Sequence, residues 1–350
     1  MRITTRFARF THRAIALAAV LTIAALAPAG VARAADGREL ELPDFGDLVV
    51  DQAHRHLFVT GGPTSNAVLV TDFSGRTVKT LSGQHGATGL VLSADGLRLY
   101  VALAAGDAIS VIDTKTLKET ARYGTGAGTC PTHLARTEGL VWFGYGCDNS
   151  WSGGIGKLDT VASPPAVTLD AQGAEIQFQR APLLAAVPDA DGPLVAGQLE
   201  LSLSTVYVYA VANGALSTQT SGTAPGSNLT DATLSPDGVT LFTASGSRNH
   251  VPGYATADLA RRGAYDTGYY PNAVVASPNG RWLATGRHHA DDDLLTWAVD
   301  GTSPLDSIDL TDEGVLVPRG LAWSGDSKQI FAVTQSPTGG APSLHTVSAP

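Results

Sequence analysis

A hairpin signal returns seven times along this chain of 350 residues. Ser93-Ala94-Asp95-Gly96, Ser235-Pro236-Asp237-Gly238 and Ser277-Pro278-Asn279-Gly280 are clear copies. Each lies between two short apolar runs, as in Leu99-Tyr100-Val101-Ala102 or Leu241-Phe242-Thr243-Ala244. Asp-Gly and Asn-Gly between apolar runs mark tight hairpins, because Gly and Asn accept positive φ at little cost. Weaker copies fill the gaps at Thr137-Glu138-Gly139, Asp189-Ala190-Asp191-Gly192, Ser324-Gly325-Asp326-Ser327 and, degenerate, Asp51-Gln52-Ala53-His54. One residue from each copy (Ala53, Asp95, Glu138, Asp191, Asp237, Asn279, Asp326) gives steps of 42, 43, 53, 46, 42 and 47 residues. A period of about 40–50 residues with several short strands per repeat predicts the blades of a β-propeller.

The second repeat predicts four strands, at 89–93, 97–103, 108–113 and 118–123. Successive antiparallel strands, lettered a to d, reverse direction at every turn. The a–b and c–d loops then share one face of the disc, the lower one, and the b–c and d–a loops share the upper one. The last repeat supplies only three strands, at 319–324, 329–334 and 343–347. Arg38-Glu39-Leu40-Glu41-Leu42 alternates like a strand and lacks a partner, so it is expected to complete the seventh blade as its outer strand. Such closure leaves no open seam. The fold class is all-β: seven four-stranded antiparallel blades, the ring closed by an N-terminal strand.

Residues 1–34 read as a secretory signal. Arg2, Arg6, Arg9 and Arg13 precede an uncharged run of 14 residues, Ala14 to Ala27, and Ala32-Arg33-Ala34 offers a small-residue cleavage site. A span needs about 20 apolar residues, so a stable membrane anchor is not expected. Residues 35–350 are then one exported, extracellular domain. Cleavage removes 5 of the 23 Lys and Arg and none of the 32 Asp and Glu, which leaves 18 basic against 32 acidic residues and a net charge of −14. Such a surface disfavours nucleic acid and anionic lipid.

The sequence Ala108-Ile109-Ser110-Val111-Ile112-Asp113-Thr114, together with Ser-Pro-Asp-Gly before a Leu-Tyr-Val-Ala-like strand, resembles the YVTN-type, surface-layer-like propeller repeat, which is related in pattern to WD repeats. Repeats 2, 5 and 6 match closely, and the chain looks like secreted actinobacterial propeller proteins of unassigned function. That resemblance implies fold and export, and no activity.

The two cysteines, Cys130 and Cys147, fall in loops of the upper face and are expected to pair in an oxidising compartment. Arg287-His288-His289-Ala290-Asp291-Asp292-Asp293 is the densest polar cluster. Three consecutive Asp side chains alternate direction if extended, so it reads as a solvated loop and no metal site is expected. Asp189-Ala190-Asp191-Gly192 begins like a calcium loop, but Pro193 and Leu194 stand where a ligand and the required Gly belong. Gly-x-Ser-x-Gly, His-Glu-x-x-His and a phosphate loop are all missing, and no cofactor is expected. His133, Glu175 and Arg319 are scattered candidates for a catalytic site. The upper-face loops hold the candidate ligand-binding residues Asn149, Trp151, His250, Tyr269, Tyr270, Asn272, His288 and Arg319. Thr88 and Thr132 join Asn272 and Arg319 at the starts of innermost strands. The preferred reading is a secreted, monomeric, non-catalytic binding propeller for a small molecule, glycan or protein. A lactonase-like or lyase-like propeller enzyme and a cell-surface structural protein are the alternatives.

Overall fold

The computed structural model describes residues 37–188, 191–289, 293–310 and 314–350. The expected signal segment lies outside them, as do Asp189, Ala190, Ala290, Asp291 and Asp292. The described residues form seven separate four-stranded antiparallel sheets. The innermost strands are Asp47–Asp51, Ala87–Leu92, Pro131–Thr137, Leu183–Ala186, Leu229–Leu234, Pro271–Ala276 and Val315–Trp323. Each packs beside the next, and the seventh packs beside the first, so the sheets close into a ring around an axial channel.

Four of the hairpin copies share one hydrogen-bond scheme. In blade 2 the Ser93 hydroxyl donates to Asp95 Oδ1 at 2.5 Å and accepts the Arg98 amide at 2.9 Å. Gly96 then takes φ +68°, the left-handed region that a side chain disfavours. Blades 5, 6 and 7 repeat the Ser–Asx contact at Ser235–Asp237, Ser277–Asn279 and Ser324–Asp326. Blade 7 has Ser327 at the positive-φ place, at +59°. The long 53-residue step has its own cause. Blade 3 ends at Thr168 and blade 4 starts at Leu183, and the intervening segment folds back so that Phe178 bridges Gly153.

The ring closes as the alternation of residues 38–42 implies, with a shorter ladder. Only Arg38 and Glu39 pair with Leu344 and Ser343 of the last strand. The Leu40 amide adds one bond to the Pro342 carbonyl at 2.8 Å. From there the chain turns inward. Leu40 and Leu42 are buried with Leu57 and Leu69 of blade 1 and Phe331 and Val333 of blade 7. Burying each leucine stabilises by roughly 1.5–3 kcal/mol, so apolar packing fastens this seam more than the two-residue ladder does. Phe73 meets Phe331 edge-on across the same seam, with ring centroids 4.8 Å apart. The other blade junctions are filled alike by aliphatic and aromatic side chains from both neighbours.

Cys130 and Cys147 form a disulfide, with Cα atoms 5.0 Å apart. It ties the entry of blade 3 to that blade's b–c loop on the upper face. A disulfide is consistent with an extracellular protein. Among the described residues, no helix is long and apolar enough to cross a membrane.

Candidate functional site

Innermost strands are apolar, but four ionisable side chains interrupt them at one level. Asp47, His133 and Asp231 each stand four residues before the first residue of their hairpin signal, at Asp51, Thr137 and Ser235. Gly89, Ala273 and Gly320 hold that place in blades 2, 6 and 7. The backbone pairings align it in blades 3, 4, 5 and 6, where His133, Leu183, Asp231 and Ala273 face Gly144, Gly197, Ala244 and Gly286. Arg319 sits one residue earlier, in blade 7, at φ +61°. The fold therefore gathers Asp47, His133, Asp231 and Arg319 from blades 1, 3, 5 and 7 around the axis.

Arg319 is the hub of this waist. Its Nη2 donates to Asp47 Oδ2 at 2.6 Å and its Nη1 donates to His133 Nδ1 at 2.8 Å. His133 is 7% exposed, and burial, with Arg319 beside it, holds its pKa well below the ordinary histidine range. It is neutral at pH 7, with Nδ1 as acceptor and the proton on Nε2. Asp47 accepts the Leu48 amide on Oδ1 at 2.9 Å and the Leu90 amide on Oδ2 at 2.8 Å. Asp231 repeats that cradle in blade 5: Oδ1 accepts the Ala232 amide and Oδ2 the Val274 amide, both at 2.8 Å. Burial pushes both carboxyl pKa values up, against the pull of Arg319 and the amides, and Asp231 reaches about 7.

Two cavities meet at this waist. The upper one is about 280 Å³ and is lined by Asp44, Phe45, His133, Glu200, Thr230 and Arg319 among others. The lower one is about 310 Å³ and runs from Asp47 and Arg319 down to Pro188 at the a–b turn of blade 4.

The ligand-binding candidates divide. Trp151, Tyr269 and Tyr270 are 49, 61 and 58% exposed, and all three stand on upper-face loops. Trp151 and Tyr270 also carry positive φ, +64° and +34°. Such strain persists where the surroundings impose it, and it clusters at functional sites. The three do not form a single patch. Tyr269 stacks on His289 with centroids 5.7 Å apart, and Tyr270 lies beside Gly246. Trp151 lines a separate hollow of about 290 Å³ with Asp170, Gln172 and Ile176. Asn149 and His288 are exposed beside them. His250 accepts a hydrogen bond from Arg261 at 3.1 Å at the start of a third strand, away from the axis.

Asn272 is 4% exposed; its Nδ2 donates to the Leu316 carbonyl and joins blades 6 and 7, while its buried Oδ1 has no hydrogen-bond partner among the described residues. Thr88 donates to the Ala102 and Pro131 carbonyls and Thr132 to that of Cys130. Of the three catalytic candidates, His133 and Arg319 meet, while Glu175 is exposed on the connection between blades 3 and 4. The Arg287–Asp293 loop departs from a fully solvated one at its end: Asp293 is buried and accepts the Leu310 amide at 3.0 Å. Among the described residues, no group of three or more His, Cys, Asp or Glu is placed to hold a metal ion.

Asp47 and Asp231 were not among the candidates read from the sequence. Their signal was an acid at a fixed offset from the hairpin, in a strand whose other residues are mostly apolar.

No protein-family model and no curated protein matches this chain in sequence. Solved structures do match in fold. A chain of the mitotic checkpoint complex superposes with a TM-score of 0.69 at 15% identity, over 98% of this chain and 99% of that one. The likeness is one of fold alone. The β-propeller domain of Cps50 (Swd1) from Myceliophteria thermophila gives 0.63 at 13% identity, over 88% and 97% of the two chains. A chain of hydrazine synthase from Kuenenia stuttgartiensis gives 0.62 at 17% identity, over 84% and 93%. A fold shared at such identities hosts unrelated functions, so function is argued from the sites.

Proposed function

We propose that this chain is an exported, non-catalytic binding propeller that engages its partner through the upper face. The observation that carries the reading is the placement of exposed aromatics. All three exposed large aromatic side chains among the described residues, Trp151, Tyr269 and Tyr270, stand on upper-face loops. Exposed large side chains of the lower turns, such as Leu97, Val161 and Val239, are aliphatic. Aromatic residues on loops of a rigid scaffold are enriched at interfaces.

Export rests on the basic, then uncharged, then small-residue N-terminus and accords with the disulfide. We read the repeat as YVTN-like from its Ser-x-Asx-Gly turns, of which Ser235-Pro236-Asp237-Gly238 is the fullest copy. The non-catalytic part of the reading rests on the waist, where Arg319 donates to Asp47 and His133 and so ties blades 7, 1 and 3 together.

Photo-crosslinking amino acids at 151 and 270, against 95 and 237, test the reading in the producing cells. Adducts from the upper positions alone support it. Adducts from the lower positions alone overturn it.

A further inference from the structure

We propose that the lower cavity is a second site, separate from the upper face, that takes a compact aliphatic ammonium ion with its charge on Asp231. Asp47 and Asp231 are two copies of one construction. They occupy the same place in their blades. Each accepts its own next amide and, 43 residues on, an amide of the following blade, through the same pair of oxygens. At Asp47 a cation completes the arrangement, because the preceding blade 7 supplies Arg319 at 2.6 Å. At Asp231 the preceding blade 4 supplies Pro182, one residue before Leu183, where Arg319 precedes Gly320. Among the described residues no side-chain cation hydrogen-bonds to Asp231, and Arg319 acts on it only at longer range.

Asp231 is 7% exposed, and what it lines is the lower cavity of about 310 Å³. That volume lies at the small end of ligand sites. Its lining combines aliphatic residues, Leu90, Leu134, Leu234 and Leu321 among them, with Thr233, Arg136 and the Asp47–Arg319 pair, and holds no aromatic ring. A small chamber of mixed aliphatic and polar lining, in which one of the two carboxylates lacks a cation, suits a short alkyl chain ending in an ammonium group. The ammonium would stand to Asp231 as Arg319 stands to Asp47. A charge-assisted hydrogen bond in such surroundings is worth more than one in water.

The other charged groups around the chamber sharpen the choice. Asp47 is matched by Arg319, and His133 is neutral. Arg136 lines the cavity from blade 3, where its Nε donates to the Leu92 carbonyl of blade 2. Protons compete with the ammonium for Asp231. Binding is therefore full above pH 7 and weakens about tenfold per unit below it, while an alkylamine stays charged throughout.

The test is isothermal calorimetry of the exported, disulfide-intact protein with n-butylammonium at pH 8, beside n-butanol and butyrate. A saturable one-to-one heat from the amine alone is expected, weakening toward pH 5. Asp231→Asn should lower affinity at least about tenfold, the loss of one charged hydrogen bond. The wild-type titration from pH 8 to pH 5, across which Asp231 takes up a proton, keeps the test open if that variant fails to fold. No amine heat at pH 8, equal heats from butanol or butyrate, or unchanged affinity in a folded Asp231→Asn overturns the proposal. None of these results bears on the upper face, because the probe is smaller than any contact with Trp151 or the tyrosines and reports only on the channel.

Discussion

Replacing Asp231 with Asn should change how stability depends on pH, and the structure sets the size of the change. In the folded chain burial holds the Asp231 carboxyl near pKa 7, against 3.8 for an unperturbed Asp. Between those values the folded state keeps a proton that the unfolded state releases. Stability therefore falls as pH rises from about 4 to 7 and is level above. At about 1.4 kcal/mol per unit, Asp231 costs the native state about 4 kcal/mol at pH 8 relative to pH 4. Asn removes the titration. It also leaves one of the Ala232 and Val274 amides facing an NH2 group, a cost of about 1–3 kcal/mol that does not vary with pH. The quantity to read is thus the difference between the two stability curves. Urea unfolding at each unit from pH 4 to 8 should show the wild type losing about 4 kcal/mol against Asp231→Asn across the range. Parallel curves, or a wild type that gains on the variant as pH rises, would refute the reasoning.

Arg319→Met should destabilise by about 3–5 kcal/mol at pH 8 in urea unfolding, because the buried Asp47 carboxyl loses its cation. Leu40→Ala should cost about 2–5 kcal/mol by the same assay, since Leu40 is 1% exposed at the seam that closes the ring. Thiol titration of the unfolded, unreduced protein should find no free thiol, and Cys130→Ala with Cys147→Ala should lower stability by roughly 3 kcal/mol. Trp151→Ala and Tyr270→Ala should each shift unfolding by less than about 0.5 kcal/mol, because both side chains are about half exposed or more.

Much of the fold is legible in the sequence for a local reason. Each Ser-x-Asx-Gly copy closes its own hairpin through contacts within five residues, so the pattern survives as a string. The unpaired Arg38–Leu42 segment implies closure for the same reason, although the two-residue ladder shows that packing of Leu40 and Leu42 shortens it. The upper-face aromatics are legible as loop residues. Their separation into two places is not, because it depends on which blade each loop leans toward. The axial waist is the least legible part. Arg319 reaches Asp47 across 272 residues and His133 across 186, and no local pattern encodes a contact that only ring closure creates. Asn272 shows the converse: it sits where a channel ligand could be met, yet its amide nitrogen is taken by a neighbouring blade.

The central claim, that the upper face is where a partner is met, is tested most directly by hydroxyl-radical footprinting of the protein in its native surroundings against the purified protein. Trp151, Tyr269 and Tyr270 report from the upper face, and Leu97, Val161 and Val239 from the lower turns. The account predicts that the aromatics lose labelling in the native sample while the lower aliphatics do not. Protection of Leu97, Val161 and Val239 with full labelling of the three aromatics would contradict it.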